Sequence, residues 1–251
     1  MSITGTSPDV ATMYLEKFHW NINEAANAYL NENHDSTPNS SVTASKALVD
    51  LFDRYKDPEN NTIISIDGTL SYLEDLNIDP EDSRSLTLSY LLKSPQTGEF
   101  PRSNFLDFWA ANRVNSIPAM KQFIDQSHSR IKNSPSSYED FYQYCFDFIR
   151  GSDVRIKYIT HEDAVSYWGL LFGERQDLAA SAERLAQWYE FVESSKKPIT
   201  RDTWVMFYKF LLEVINTDPV SLSGYDEMSS WPSMVDEYIE WLYENGHLEE
   251  N

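Results

Sequence analysis

The stretch Ile199-Thr-Arg-Asp-Thr-Trp-Val-Met-Phe-Tyr-Lys-Phe-Leu-Leu-Glu-Val214 decides the fold class. Trp204, Phe207, Leu211 and Val214 recur at steps of three and four, the period of one apolar helix face. Thr200 stands where an N-cap hydroxyl accepts a backbone N–H, and Ile199 and Trp204 flank it as a hydrophobic staple. Asp202 falls in the first turn, where the helix dipole favours negative charge. The same period runs outward. Upstream lie Leu178, Leu185, Trp188 and Val192; Val165, Trp168, Leu171 and Phe172; Phe141, Tyr144, Cys145 and Phe148; Leu70, Leu73 and Leu76; and Leu48, Leu51, Phe52 and Tyr55. Downstream, Ser230-Trp231-Pro232 opens a last helix with the stripe Met234, Val235, Tyr238, Ile239 and Leu242, proline being tolerated only in a first turn. Glycines number only 8 and the alternating Val/Ile/Thr runs of strands are nearly absent, so an all-α architecture is expected.

Charge narrows the function. Forty acidic residues against 20 basic give 251 residues a net charge of −20, which argues against direct nucleic-acid binding, since phosphate contacts need concentrated positive charge. At 41% hydrophobic and 14% aromatic the chain is too apolar for an acidic disordered tail, so it should fold. The single cysteine, Cys145, lies in the run Phe141-Tyr-Gln-Tyr-Cys-Phe146 with no neighbouring histidine or basic residue to lower its pKa, the setting of a packing thiol. No run approaches a membrane span and the N-terminus lacks the regions of a secretory signal, which makes an intracellular protein the expectation. The five histidines, His19, His34, His128, His161 and His247, are scattered, and no zinc, nucleophile-elbow or phosphate-loop motif occurs. The expectation is a protein without catalytic residues, metal or cofactor; a carboxylate pair of the glycosidase kind is the enzymatic alternative.

The segment 34–45 has the polar, proline-containing composition of a linker and separates a unit over 1–33 from a large helical unit over 46–246. Within the first, two short amphipathic helices around His19-Trp20-Asn21, with Ala25, Ala26, Tyr29 and Leu30 as packing face, resemble the last two helices of a UBA (ubiquitin-associated) domain. Only eight residues precede Asp9, too few for a stable first helix, so the unit reads as truncated and any ubiquitin contact as weakened. In the large unit, Asp57-Pro-Glu-Asn-Asn-Thr-Ile-Ile-Ser-Ile-Asp-Gly68 and Lys93-Ser-Pro-Gln-Thr-Gly-Glu-Phe-Pro-Arg-Ser-Asn104 resemble EF-hand loops. Both are degenerate: the first has Thr62 and Gly68 at loop positions 6 and 12, and the second has Lys93, Pro95 and Asn104 at positions 1, 3 and 12. Ile64 and Phe100 occupy the central apolar positions, where such loops pair as a short β-bridge. A calcium-dependent regulatory binding protein is therefore the alternative function.

From Arg201 to the end, 11 acidic residues face two basic ones, Arg201 and Lys209, a net of −9. By themselves Asp202 and Asp236 are ordinary first-turn and solvating residues. The pair of strings Ile199-Thr-Arg-Asp-Thr-Trp204 and Tyr225-Asp-Glu-Met-Ser-Ser-Trp-Pro-Ser-Met-Val-Asp-Glu237, however, strongly resembles the cullin-binding domain of the defective-in-cullin-neddylation family. Arg54-Tyr-Lys-Asp-Pro58, Ile66-Asp-Gly68, Asp140-Phe-Tyr-Gln143 and Tyr167-Trp168 extend the resemblance in order across nearly all of residues 46–245.

The resemblance implies a small UBA-like unit plus a large helical cullin-binding domain, with an EF-hand-like half at about 46–150 and an acidic-patch half at about 151–246. It implies a scaffold-type co-ligase that binds a cullin C-terminal winged-helix region and the conjugating enzyme for the ubiquitin-like modifier. The cullin-binding patch would comprise Asp202, Ser230 and Asp236, serine replacing the family's alanine. A pocket for the conjugating enzyme's acetylated N-terminal methionine would have Ile66, Asp67, Leu88, Phe100, Phe148 and Leu170 as walls, with Ser85, Thr97 and Gly98 at neighbouring positions. Such a protein is expected in cytoplasm and nucleus, the chain being small enough to enter the latter passively.

Overall fold

The computed structural model describes residues 44–249 together with Thr12, which is helical. The chain divides into units at 1–43 and 44–251, and the UBA-like reading over 1–33 falls outside the described residues apart from Thr12. In the second unit the order is α1 (Lys46–Tyr55), β1 (Ile63–Ile64), α2 (Ile66–Leu76), α3 (Ser83–Leu91), β2 (Phe100–Pro101), α4 (Arg102–Ala111), α5 (Ile117–Lys132) and α6 (Pro135–Arg150). After these come β3 (Tyr158–Ile159), α7 (His161–Phe172), a 3-10 turn (Gln176–Ser181), α8 (Ala182–Ser195), β4 (Ile199–Thr200), α9 (Arg201–Phe210), a π turn (Leu211–Ile215) and α10 (Ser233–Glu244).

Helix boundaries follow the local chemistry. Ser45, Thr160 and Thr200 each accept the backbone N–H three residues on, supplying an orphan donor of the first turn with a partner. Pro232 stands at the N-cap of α10, one residue before the helix begins. The strands are two-residue ladders: β1 pairs with β2 antiparallel, with Ile64 opposite Phe100, and β3 pairs with β4, with Ile159 opposite Ile199. All four of those residues are buried, so each ladder clips two loops over a core.

Two hydrophobic cores result. One gathers Leu48, Phe52, Tyr72, Phe105, Trp109 and Ile124 from α1 to α5; the other gathers α6 to α10 around Trp168, Trp188 and Trp204. The cores meet along α3, which gives Leu88 to the first and Leu86 to the second, and along α5, which gives Ile124 to the first and Ile131 to the second. From α6, Phe141, Tyr142, Cys145 and Phe146 all face the second core. There the Tyr142 hydroxyl accepts from Trp168 Nε1 at 2.8 Å and donates to the Trp204 carbonyl at 2.8 Å, so α6, α7 and α9 are joined by polar bonds inside an aromatic stack. Cys145 is fully buried and its thiol pKa is pushed up by burial, consistent with packing chemistry.

His128 of α5 links elements near the same junction. Its Nδ1 lies 2.8 Å from Thr87 Oγ1, and its Nε2 lies 3.5 Å from both Ser83 Oγ and Glu174 Oε2. Burial lowers its pKa below the ordinary 6.5 despite Glu174. The unfolded chain therefore binds a proton first, and the contribution of neutral His128 to stability is lost as pH falls from about 6.5 toward the lower folded value. Urea midpoints at pH 7 and 5.5 should show a smaller acid-induced loss in His128→Gln than in the unaltered protein.

Candidate functional site

A cavity of about 500 Å³ sits where α2, α3, the 96–100 loop, α6 and α7 converge. Ile66, Leu70, Phe100, Phe148 and Leu170 line it, joined by Ser85, Thr97, Gly98 and Tyr167. Its size suits a small apolar group. Ile66 and Leu70 are 51% and 45% exposed, so the α2 side of the cavity is open to solvent. Gly98 closes tightly on this wall. It has φ +72°, and a Cβ there would stand 2.5 Å from Ile66 Cδ1, so a larger residue would strain the loop and push into Ile66.

Of the six wall residues expected from the resemblance, Ile66, Phe100, Phe148 and Leu170 are brought together around this cavity; Asp67 and Leu88 are not. Asp67 is exposed and lines a different hollow beside Arg54, Lys56 and Asp57. Leu88 is wholly buried in the first core. Each lies roughly 100° round its helix from the stripe that faces the cavity, a rotation that adjacency in sequence does not reveal. Leu70 and Tyr167 line the cavity although the resemblance does not imply them, since Leu70 reads in the sequence as part of the core stripe with Leu73 and Leu76.

The loop resembling a calcium site uses its oxygens internally. Asp57 Oδ1 accepts the backbone N–H of Glu59 and of Asn60, both at 2.8 Å, and Asn60 Oδ1 accepts the Thr62 N–H at 3.0 Å and the Thr62 hydroxyl at 2.6 Å. Hydrogen bonds from Ser65, Glu59 and Asn60 hold the Asp57 carboxyl below its usual range. In the second loop Asn104 Nδ2 donates to the Lys93 carbonyl at 3.1 Å. Among the described residues no group of three or more His, Cys, Asp or Glu could hold a metal ion.

The acidic face is sorted by its internal partners. Glu237 takes both bonds of Lys197 Nζ at 2.7 Å, tying the segment before β4 to α10. Glu213 pairs with Lys209 at 3.8 Å. Asp218 turns onto the Ser221 and Ser223 hydroxyls, which hold its carboxyl far below the usual range, and Asp226 accepts the Met228 N–H at 2.9 Å. Asp202 is left exposed in the first turn of α9, with neither hydrogen bond nor ion pair among the described residues. Asp236, half-buried in the first turn of α10, has one partner: Tyr225 donates to its Oδ1 at 2.8 Å. Ser230 is exposed just ahead of Trp231, whose ring packs edge-on against Phe210 at 5.3 Å. Glu227, Glu240, Glu244 and Glu249 are also exposed and widen the negative field. What this acidic segment offers a partner is a set of carboxylates with unused acceptor capacity, among them the two first-turn aspartates Asp202 and Asp236.

The Cullin binding family model matches residues 119–241, taking in α6 to α9 and the Asp202, Ser230 and Asp236 positions, and the UBA-like domain model matches residues 1–36. The Defective in cullin neddylation protein 1 of Candida albicans is 34% identical to this chain over an alignment 284 positions long, gaps included, that covers 96% of this chain and 94% of the relative. The chain belongs to the defective-in-cullin-neddylation family. Proteins of the same name from Yarrowia lipolytica and Saccharomyces cerevisiae are 33% and 28% identical, covering 97% and 96% of this chain and 94% and 90% of their own lengths. The all-α class expected from the helical stripes stands, as does a UBA-like unit ahead of a cullin-binding domain.

Proposed function

We propose that this member of the family promotes cullin neddylation as a non-catalytic scaffold, holding a cullin C-terminal winged-helix region on its acidic face and the conjugating enzyme for the modifier at the α2–α3–α7 cavity. The observation that carries the reading is the placement of Asp202 and Asp236, each in the first turn of a helix and each with unused acceptor capacity, inside the span matched by the Cullin binding model. Carboxylates so placed offer charge-assisted bonds to lysine or arginine, and the surrounding field speeds the encounter with a basic partner. The cavity fits the second role because an apolar wall favours an uncharged acetylated terminus and penalises a free ammonium. Holding acceptor and donor together turns a bimolecular transfer into an effectively intramolecular one and requires no catalytic side chain. Such a role would have the protein act wherever cullins are modified, in cytoplasm and nucleus.

The test is the rate of modifier transfer from a charged conjugating enzyme to a cullin C-terminal fragment, with and without this protein, using the acetylated and the free N-terminal forms of the enzyme. Stimulation greater for the acetylated form is expected. Equal rates with and without the folded protein would overturn the scaffold reading, and equal stimulation of both forms would remove the cavity from it.

A further inference from the structure

Tyr225 and Asp236 are 11 residues apart, separated by a turn that carries Trp231 and Pro232, yet the Tyr225 hydroxyl reaches Asp236 Oδ1 at 2.8 Å. The ring that brings it there is anchored. It meets the fully buried Phe210 edge-on with centroids 6.4 Å apart, and the loop ahead of it is fixed by the Tyr225 N–H bond to the Leu222 carbonyl at 2.9 Å. Burial and the adjacent Asp236 carboxylate both raise the phenol's pKa, so it remains a proton donor at neutral pH. Glu237, the neighbouring acid, cannot take over from Asp236, because Lys197 holds both of its oxygens.

We propose that Tyr225 is a positioning residue for the partner-binding carboxylate of Asp236: it fixes the rotamer by occupying Oδ1 and leaves Oδ2 as the acceptor for the partner's cation. The proposal rests on reading Asp236 as a partner-contacting acid. A free aspartate on a helix surface must be ordered when a partner binds, and the ordering cost subtracts from affinity. Tyr225 meets that cost beforehand, in the folded chain. It adds no charge, so its contribution should not depend on salt as Asp236's does.

The experiment is calorimetric titration of a cullin C-terminal fragment into the unaltered protein, Tyr225→Phe, Asp236→Ala and the double variant, at two salt concentrations. Phenylalanine keeps the ring against Phe210, so the thermal midpoint of Tyr225→Phe should stay within about 2 °C, the smaller end of what loss of one part-buried bond produces. Its affinity should fall about tenfold, with the salt slope unchanged. Asp236→Ala should weaken binding further and flatten the salt slope. In the Asp236→Ala background, Tyr225→Phe should have no added effect, because the group it orients is gone. Equal weakening in both backgrounds, or no weakening in either, would overturn the proposal. Binding that Asp236→Ala leaves unchanged would remove the surface assignment itself, a result read from a different variant.

Discussion

Replacing Asp202 and Asp236 together by alanine should weaken binding of a cullin C-terminal fragment by about 3 kcal/mol, roughly 150-fold in Kd, while the protein remains folded. The two sites should fail in different ways. Asp202 is exposed and free of partners among the described residues, so its charge acts through solvent; Asp202→Ala should chiefly slow association, and the difference should shrink at high salt. Asp236 is half-buried and held by Tyr225, so its loss should speed dissociation. Stability should fall by about 0.3–1 kcal/mol per site, since each acid complements a helix N-terminus and Asp236 alone also accepts a side-chain bond. Stopped-flow and calorimetric binding, with urea unfolding as the control, check the prediction; unchanged affinity in a folded double variant would sink the patch assignment.

What the sequence disclosed and what it withheld divide along physical lines. Periodicity reports which side of a helix is apolar, so the stripes through Trp204, Phe207, Leu211 and Val214 and through Met234, Val235, Tyr238, Ile239 and Leu242 are all buried as expected. Caps are local chemistry, so Thr200 was legible as well. Periodicity does not say what lies opposite an apolar face. Leu70 belongs to the stripe of Leu73 and Leu76 but looks into an open cavity, and Leu88, expected on that cavity's wall, is sealed in the core. Nor does it show how a helix tightens or widens: the π turn over Leu211–Ile215 that follows α9 leaves no mark in the apolar spacing. For the candidate patch, Asp202 and Asp236 had no local signal beyond first-turn position, and only the longer strings around them pointed to a partner. The Tyr225 bond crosses a loop with no repeating pattern, and tertiary structure alone brings it into view.

Gly68→Ala should destabilise the protein by about 3 kcal/mol, a large share of the roughly 5–15 kcal/mol that holds an ordinary domain folded. Loop position 12 of an EF-hand requires a glutamate, and the backbone here leaves no room even for a methyl group. A Cβ on Gly68 would lie 1.9 Å from the Tyr55 carbonyl oxygen and 2.9 Å from Ile64 Cγ2. The first of these is main chain at the end of α1, which cannot turn aside as a side-chain tip would. Tyr55 is further fixed by its buried ring, tilted against Tyr72 at 5.1 Å, and by its hydroxyl bond to Asp75 of α2. Relief of the clash therefore has to move α1 away from α2, opening the first core and shifting Ile66 on the cavity wall. Gly169→Ala in α7 is the matched control: nothing lies within 4 Å of its added Cβ, so alanine's helix preference should stabilise by about 0.5–1 kcal/mol. Urea unfolding of the two variants separates a packing requirement from a general intolerance of substitution. Gly68→Glu, which would supply the missing calcium ligand, should show the same loss of stability and no recovery when calcium is added; recovery would mean that the loop retains a metal-binding geometry and would restore the calcium-regulated alternative.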